Sequence, residues 1–337
     1  MITLFVATEQ GLFVARHALD WTVERHLDGR AVECIALDPF SPPRLYCGTL
    51  NDRIWRSDDG GRSWDTAGSG ISHPRVMSLA ASAAEGEDGA AVLYAGTEPS
   101  GVFRSADAGS SWAEQPGLLA LPSKRTWSFP PRPDTHHVRW IETDPVVTGR
   151  LYVAIEAGAL VRSPDGGRTW EDRVATGPYD THTAATHRLA PGRVYSAAGD
   201  GYFESLDAGR TWTRHVEGLR HRYCVGIAVS QEDPDGVLIS SADGPWSAYD
   251  PPHAEAYVYR RTGHRAWQTA MEGLPDAEGT AVSRFAVHPD APSAIYAANN
   301  HGVYHTTDAG RTWDALDIPW PDRALDGGVD ALAVLVE

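Results

Sequence analysis

Histidines, arginines and carboxylates recur at corresponding points of several similar segments of this chain. Aligned on their Asp-Pro or equivalent ends, those segments share an entry column of Ala31, Arg75, His137, Asp180, Tyr223, Ala281 and Gly328. Two residues on, the column reads Glu33, Met77, Arg139, His182, Val225, Ser283 and Asp330, and later columns turn apolar (Ile35, Leu79, Ile141, Leu332). Residues i and i+2 of a strand share a face, so these columns are expected to converge at a polar mouth. Polar residues at the start of strands that should be half buried call for a chemical explanation.

Three chemistries fit these residue types. His137 and His182 can move protons, or can ligate a divalent metal with Glu98, Glu156 or Asp180 completing the set. Wet channels also tolerate scattered histidines, and no HExxH spacing occurs. Arg75, Arg139 and Arg222 suit bidentate recognition of a carboxylate, sulfate or phosphate, the plain alternative being ion pairs with Glu33, Asp180 or Asp330. Glu98 and Glu156 fall in matching turns, where paired acids can cleave a glycosidic bond if their separation suits, although exposed turn glutamates are common. Tyr223 is assigned an assisting role, and His301 joins the ligand-binding set from a turn. Two long insertions, Pro116–Thr135 with Trp127 and Phe129 and Ala242–Ala256 with Trp246 and Tyr249, are expected to lie over the mouth as a lid.

The elements that position these residues come from a repeat. Tryptophans at 21, 64, 112, 170, 212, 267 and 313 are separated by 43, 48, 58, 42, 55 and 46 residues, and five close one phrase. It reads SDDGGRSW at Ser57–Trp64, SADAGSSW at Ser105–Trp112, SPDGGRTW at Ser163–Trp170, SLDAGRTW at Ser205–Trp212 and TTDAGRTW at Thr306–Trp313. Each unit runs from an apolar stretch ending near Asp-Pro to a strand of the type Leu45–Thr49, a Gly or Asn turn, a third strand and the Asp phrase. A fourth strand then begins at Trp. Four short strands per forty-odd residues predict propeller blades. The Asp is expected to accept backbone N–H groups in its turn, with the following Gly at positive φ. Blade 1 (Leu4–Thr8, Leu12–Arg16, Trp21–Arg25) lacks a leading strand, and Val329–Val336 has the missing pattern. The expectation is an all-β, seven-bladed propeller of four-stranded antiparallel blades, one domain over 1–337, closed by the C-terminal strand.

The phrases resemble the Asp-box, or BNR, repeat superfamily over essentially the whole chain. That resemblance implies the propeller fold and leaves function open among sialidases, xyloglucan-type glycoside hydrolases, sortilin-like receptors and photosystem II assembly factors. No Arg-Ile-Pro segment occurs, so a sialidase is not expected, and xyloglucan hydrolases of this type look like two facing propellers where this chain has one.

Composition bounds the partners. Charged residues sum to 29 − 45 = −16, a field that repels nucleic acid and anionic lipid. The opening MITLFVATEQ has no basic n-region and too short an apolar run for a signal or membrane helix. Cys34, Cys47 and Cys224 lie in strand-like runs and read as reduced, buried thiols of a cytoplasmic protein. The leading expectation is a hydrolase or lyase acting on a small anionic or sugar-like ligand, with a divalent metal as the one candidate cofactor. The competing expectation is a non-catalytic scaffold for a protein partner.

Overall fold

The structure, a computed structural model, describes residues 1–337. It is nearly all β: seven antiparallel sheets follow one another along the chain as the blades of a seven-bladed β-propeller. Blade 1 comprises Ile2–Thr8, Gly11–His17 and Trp21–His26, with Ala331–Val336 as its fourth strand, paired antiparallel to Ile2–Thr8 from Ile2↔Val336 to Ala7↔Ala331. This is the expected closure, and it removes the open edge that blade 1 would otherwise present.

Two details differ from expectation. In blades 2, 3, 5, 6 and 7 the strand expected to begin at the tryptophan starts after it and is only two residues long, as in Asp65–Thr66, Thr213–Arg214 and Asp314–Ala315, whereas in blade 1 it begins at Trp21 and runs to His26. In blade 4 the fourth strand is reduced to a single bridge, Arg162↔Glu171.

The chain forms two compact units. One contains Met1–Val32, Ala197–Tyr202 and Arg214–Glu337, hence blades 1, 6 and 7; the other contains Glu33–Ser196 and Phe203–Thr213, hence blades 2 to 4 and the first strand of blade 5. In the first unit, Leu4, Val6, Phe13, Tyr296, Val303 and Val334 share a buried cluster. In the second, Tyr94, Leu118, Trp127, Ile141 and Val153 do the same.

The tryptophans tie neighbouring blades together within each unit. Trp112 Nε1 donates to Ala67 O at 2.6 Å and Trp170 Nε1 to Pro116 O at 3.0 Å. In the first unit, Trp267 Nε1 donates to His215 O at 2.9 Å and Trp313 Nε1 to Ala270 O at 3.0 Å. Replacing Trp112, Trp267 or Trp313, whose indoles are buried, by alanine would cost about 3–5 kcal/mol. The chain passes so close to the tryptophan backbone that only glycine fits. A Cβ on Gly273 (φ 88°) would stand 1.8 Å from Trp313 O, and one on Gly218 (φ 89°) 2.3 Å from Trp267 O.

The Asp phrases fold as one local device. Asp59 Oδ1 accepts from the N–H groups of Arg62 and Ser63, both at 2.9 Å, while Ser63 Oγ donates to Oδ2 at 2.6 Å and Ser57 Oγ accepts from Gly61 N at 2.8 Å. Asp107, Asp165, Asp207 and Asp308 repeat the pattern. Desolvation pushes Asp207 and Asp308 up, but the backbone and hydroxyl donors outweigh it and hold both at about 2. The three cysteines are free and buried, and burial raises all three thiols above their ordinary range.

Candidate functional site

Strand register builds the site in the second unit. In blade 3, Arg75 opens the first strand (Arg75–Glu87) and Glu98 ends the second (Ala90–Glu98), and the two pair directly. In blade 4, Val138 pairs with Ile155, so His137 and Glu156, one residue further out, face each other past the end of the ladder. Asp180 precedes Thr181–Thr186, the first strand of blade 5, and His182 lies within it. The Asp phrases sit at the opposite ends of these blades, because Ser105 pairs with Leu93 and Ser163 with Leu151. The equivalent columns of the sequence thus do bring blades 3 to 5 together at one rim of this unit.

The centre is Glu156. His137 Nε2 lies 2.8 Å from Glu156 Oε2, and Arg139 Nε lies 3.5 Å from the same oxygen. Burial pushes the Glu156 carboxyl up, but the His137 hydrogen bond and the nearby Arg139 and His182 outweigh it and hold the group ionised, at about 2. His137 is 1% exposed, and its Nδ1 has no hydrogen-bond partner. Asp180 is fixed by Ala157 N, which donates to Oδ1 at 2.7 Å, and its Oδ2 faces His182 Nε2 at 3.6 Å. Glu156, Asp180 and His182 each offer a ligand atom, all within 4.8 Å of one another, so these three could hold a cation.

Beside this centre, Glu98 is clamped by arginines. Arg132 Nε donates to Oε1 at 2.8 Å and Nη2 to Oε2 at 2.5 Å, with Arg75 Nη1 at 3.3 Å from Oε1. Burial raises the Glu98 carboxyl, and Arg132, His137 and Arg75 more than reverse this, leaving it below the ordinary carboxylate range. Both arginine side chains keep substantial exposure, 37% for Arg75 and 42% for Arg132. Two cations therefore share one anion at the surface of the cluster.

Several sequence expectations change here. Glu98 and Glu156 are not exposed turn acids; both are drawn into ion pairs. Arg75 pairs with Glu98, and Arg139 lies against Glu156. Trp127 is not presented to a ligand: it is 7% exposed, packs in the cluster with Leu118 and Ile141, and donates from Nε1 to Ser123 Oγ at 3.0 Å. Its burial anchors the insertion, whose next residues reach the site. Phe129 meets the His137 ring edge-on at 4.6 Å between centroids, and Arg132 stacks over Phe129 at 4.6 Å. Arg132 was not singled out by sequence because no periodicity fixes where a loop side chain lands. Glu33 lies on the first strand of blade 2 and is near enough to act electrostatically on Arg132.

The other candidates belong to the first unit. Tyr223 opens a strand of blade 6 with its ring 6.2 Å from Tyr249, and Arg222 beside it is exposed. His301 Nε2 contacts Gly279 O at 3.0 Å, and the Asp330 N–H donates to Ala7 O at 2.9 Å. Trp246, on the short helix Pro245–Tyr249 of the second insertion, is 75% exposed.

A further acid went unnoticed in the sequence. Glu142, on the His137 strand, accepts from Thr186 N at 3.0 Å and Thr186 Oγ1 at 2.7 Å, and burial raises it to about 7 against those bonds.

No protein-family model matches the chain, and no curated protein matches its sequence. Among solved structures, a GH74 enzyme from Niastella koreensis superposes with a TM-score of 0.69 at 17% identity, over 92% of this chain and 51% of that one. An ancestral GH74 enzyme gives 0.65 at 16% identity, over 90% of this chain and 38% of its own. YCF48 bound to D1 peptide gives 0.57 at 16% identity, over 84% of this chain and 81% of that one. This chain thus spans about half the length of the first enzyme and less of the second. The likeness is one of architecture: this protein has the seven-bladed propeller fold that the GH74 enzymes and YCF48 share.

Proposed function

We propose that the protein is an enzyme of hydrolase or lyase type, acting on a small anionic or sugar-like molecule at the blade 3 to 5 rim. The observation that carries this reading is the His137–Glu156 pair. An ionised, largely buried carboxylate 2.8 Å from a buried imidazole fixes the orientation and tautomer of the ring, which is what a general base requires. Burying such a pair is costly, and a purely structural role would be served as well by apolar side chains. Arg75 and Arg132, sharing Glu98, retain a net positive charge and exposed side chains that suit a carboxylate or sulfate of the ligand. Phe129 covers His137, so the insertion carrying it acts as the lid, held down by the Arg132–Glu98 clamp.

A direct glycosidase mechanism through Glu98 and Glu156 is a weaker reading. It needs one carboxyl protonated near neutrality, and both are held ionised. The test is a panel of uronic-acid oligosaccharides, sulfated sugars and phosphate esters, assayed for binding by thermal shift and then for turnover. His137→Ala should lower turnover of any hit by roughly 10²–10⁴-fold, with the fold retained by circular dichroism. Unchanged turnover would end the assignment.

One observation favours the scaffold reading: the chain matches YCF48 over 81% of that protein's length but the first GH74 enzyme over only 51%. On that reading wild-type protein binds no member of the panel, and instead binds a peptide.

A further inference from the structure

Deepening that proposal, and resting on the same site, we infer that Glu156, Asp180 and His182 form a binding site for one divalent transition-metal ion. Three independent features of the geometry support it. Asp180 Oδ2 and His182 Nε2 face each other at 3.6 Å, beyond hydrogen-bonding distance. Bonds of about 2.0–2.2 Å place neighbouring ligands of one such ion roughly 3–3.5 Å apart, so this pair stands at nearly the spacing a shared cation sets.

The second feature is how the oxygens of the two acids are used. Both contacts to Glu156, from His137 and from Arg139, fall on Oε2 and leave Oε1 for a ligand. Asp180 is used in the same divided way: Oδ1 accepts the Ala157 N–H and Oδ2 turns toward His182. One oxygen of each acid is thus held in place by the protein and the other is presented, the division that supporting hydrogen bonds create around metal ligands.

The third is charge. Arg132 and Arg75 pair with Glu98 and Arg139 with Glu156, while the ion-pair partner facing Asp180 is the titratable His182. His137 adds a group that is 1% exposed and whose Nδ1 is unpartnered, bonded through Nε2 to the acid that would bind the ion. A mixed nitrogen and oxygen donor set selects Zn²⁺ or Mn²⁺ over Ca²⁺ or Mg²⁺, which prefer oxygen alone. The three ligand atoms lie within 4.8 Å of one another, close enough to share one ion.

The test uses the full chain, freed of metal with a chelator, dialysed, and titrated with Zn²⁺ and Mn²⁺ by calorimetry without any substrate. One equivalent should bind, and H182A and D180N should each weaken it by at least tenfold, with Ca²⁺ binding far more weakly. Absence of stoichiometric Zn²⁺ and Mn²⁺ binding, or unchanged affinity in both variants, overturns the site. If either variant fails to fold, Co²⁺ added to the wild-type protein decides: visible absorption bands of a bound, low-symmetry ion support the site, and the spectrum of the hydrated ion rejects it. Because no substrate is used, a metal-free result leaves the His137–Glu156 proposal standing. Metal binding without turnover of any panel compound removes that proposal and keeps the site.

Discussion

Asp207, in a repeated turn, and Glu156, at the opposite blade ends, are both carboxylates held ionised at about 2, by different means. Asp207 takes its donors from Thr211 and Ser205, within four residues of itself. Glu156 takes its donor from His137, nineteen residues away on the facing strand, and feels His182 from the next blade. Local donors make a device that any surface turn can carry, which is why the phrase occurs five times. Distant donors, buried together, exist only once the blades have assembled. A lowered carboxyl group is therefore not in itself a sign of function; the sequence distance of whatever lowers it is more informative.

The comparison breaks most sharply at His137. If the distant cluster is the working site, His137→Ala removes activity by roughly 10²–10⁴-fold, whereas Asp207→Ala leaves turnover per folded molecule unchanged. Equal losses in the two variants would erase the distinction. Next in size is the architecture beneath both regions. Gly273→Ala forces a Cβ against Trp313 O at positive φ, and should cost roughly 3–5 kcal/mol or prevent folding. A shift in urea midpoint equivalent to under 1 kcal/mol would show that the blades part more easily than their contacts indicate.

Acid should then separate the regions by residue. The folded pKa of Glu156 lies below the ordinary 4.5, so its stabilisation is fully present above about 4.5 and is lost as pH falls toward about 2. Glu156→Gln should therefore lose on the order of 3 kcal/mol at pH 7, and the deficit should shrink below pH 4. Glu142 has the opposite sign. Its folded pKa is raised to about 7, so its penalty is absent below about 4.5 and grows as pH rises through 7. Glu142→Gln keeps an acceptor for Thr186 and should gain in melting temperature relative to wild type between pH 5 and pH 8. A gain that does not change with pH would reject the assignment. The smallest effect belongs to a single turn: Asp207→Ala should cost about 2 kcal/mol, readable as a shift in denaturation midpoint.

Much of the fold was legible from residues that act on near neighbours. Ser205, Asp207, Gly209 and Thr211 specify one turn whatever surrounds them, and the tryptophan spacing repeats that turn often enough to count blades. The C-terminal closure was legible too, because blade 1 lacks its leading strand and Val329–Val336 is an apolar run with the pattern of one. The entry columns found Arg75, His137, Arg139, Asp180 and His182 together because strand register is periodic and the blades repeat. The sequence by itself could not decide which charge meets which, since Arg132 reaches Glu98 from an aperiodic insertion and Trp127 turns inward to anchor it. Nor could it raise Glu142 to about 7, because that shift comes from burial, a property of the assembled blades rather than of any segment. Periodic, short-range forces act before the chain closes on itself; pairing of distant charges and exclusion of water follow only from closure, so those the tertiary structure alone decided.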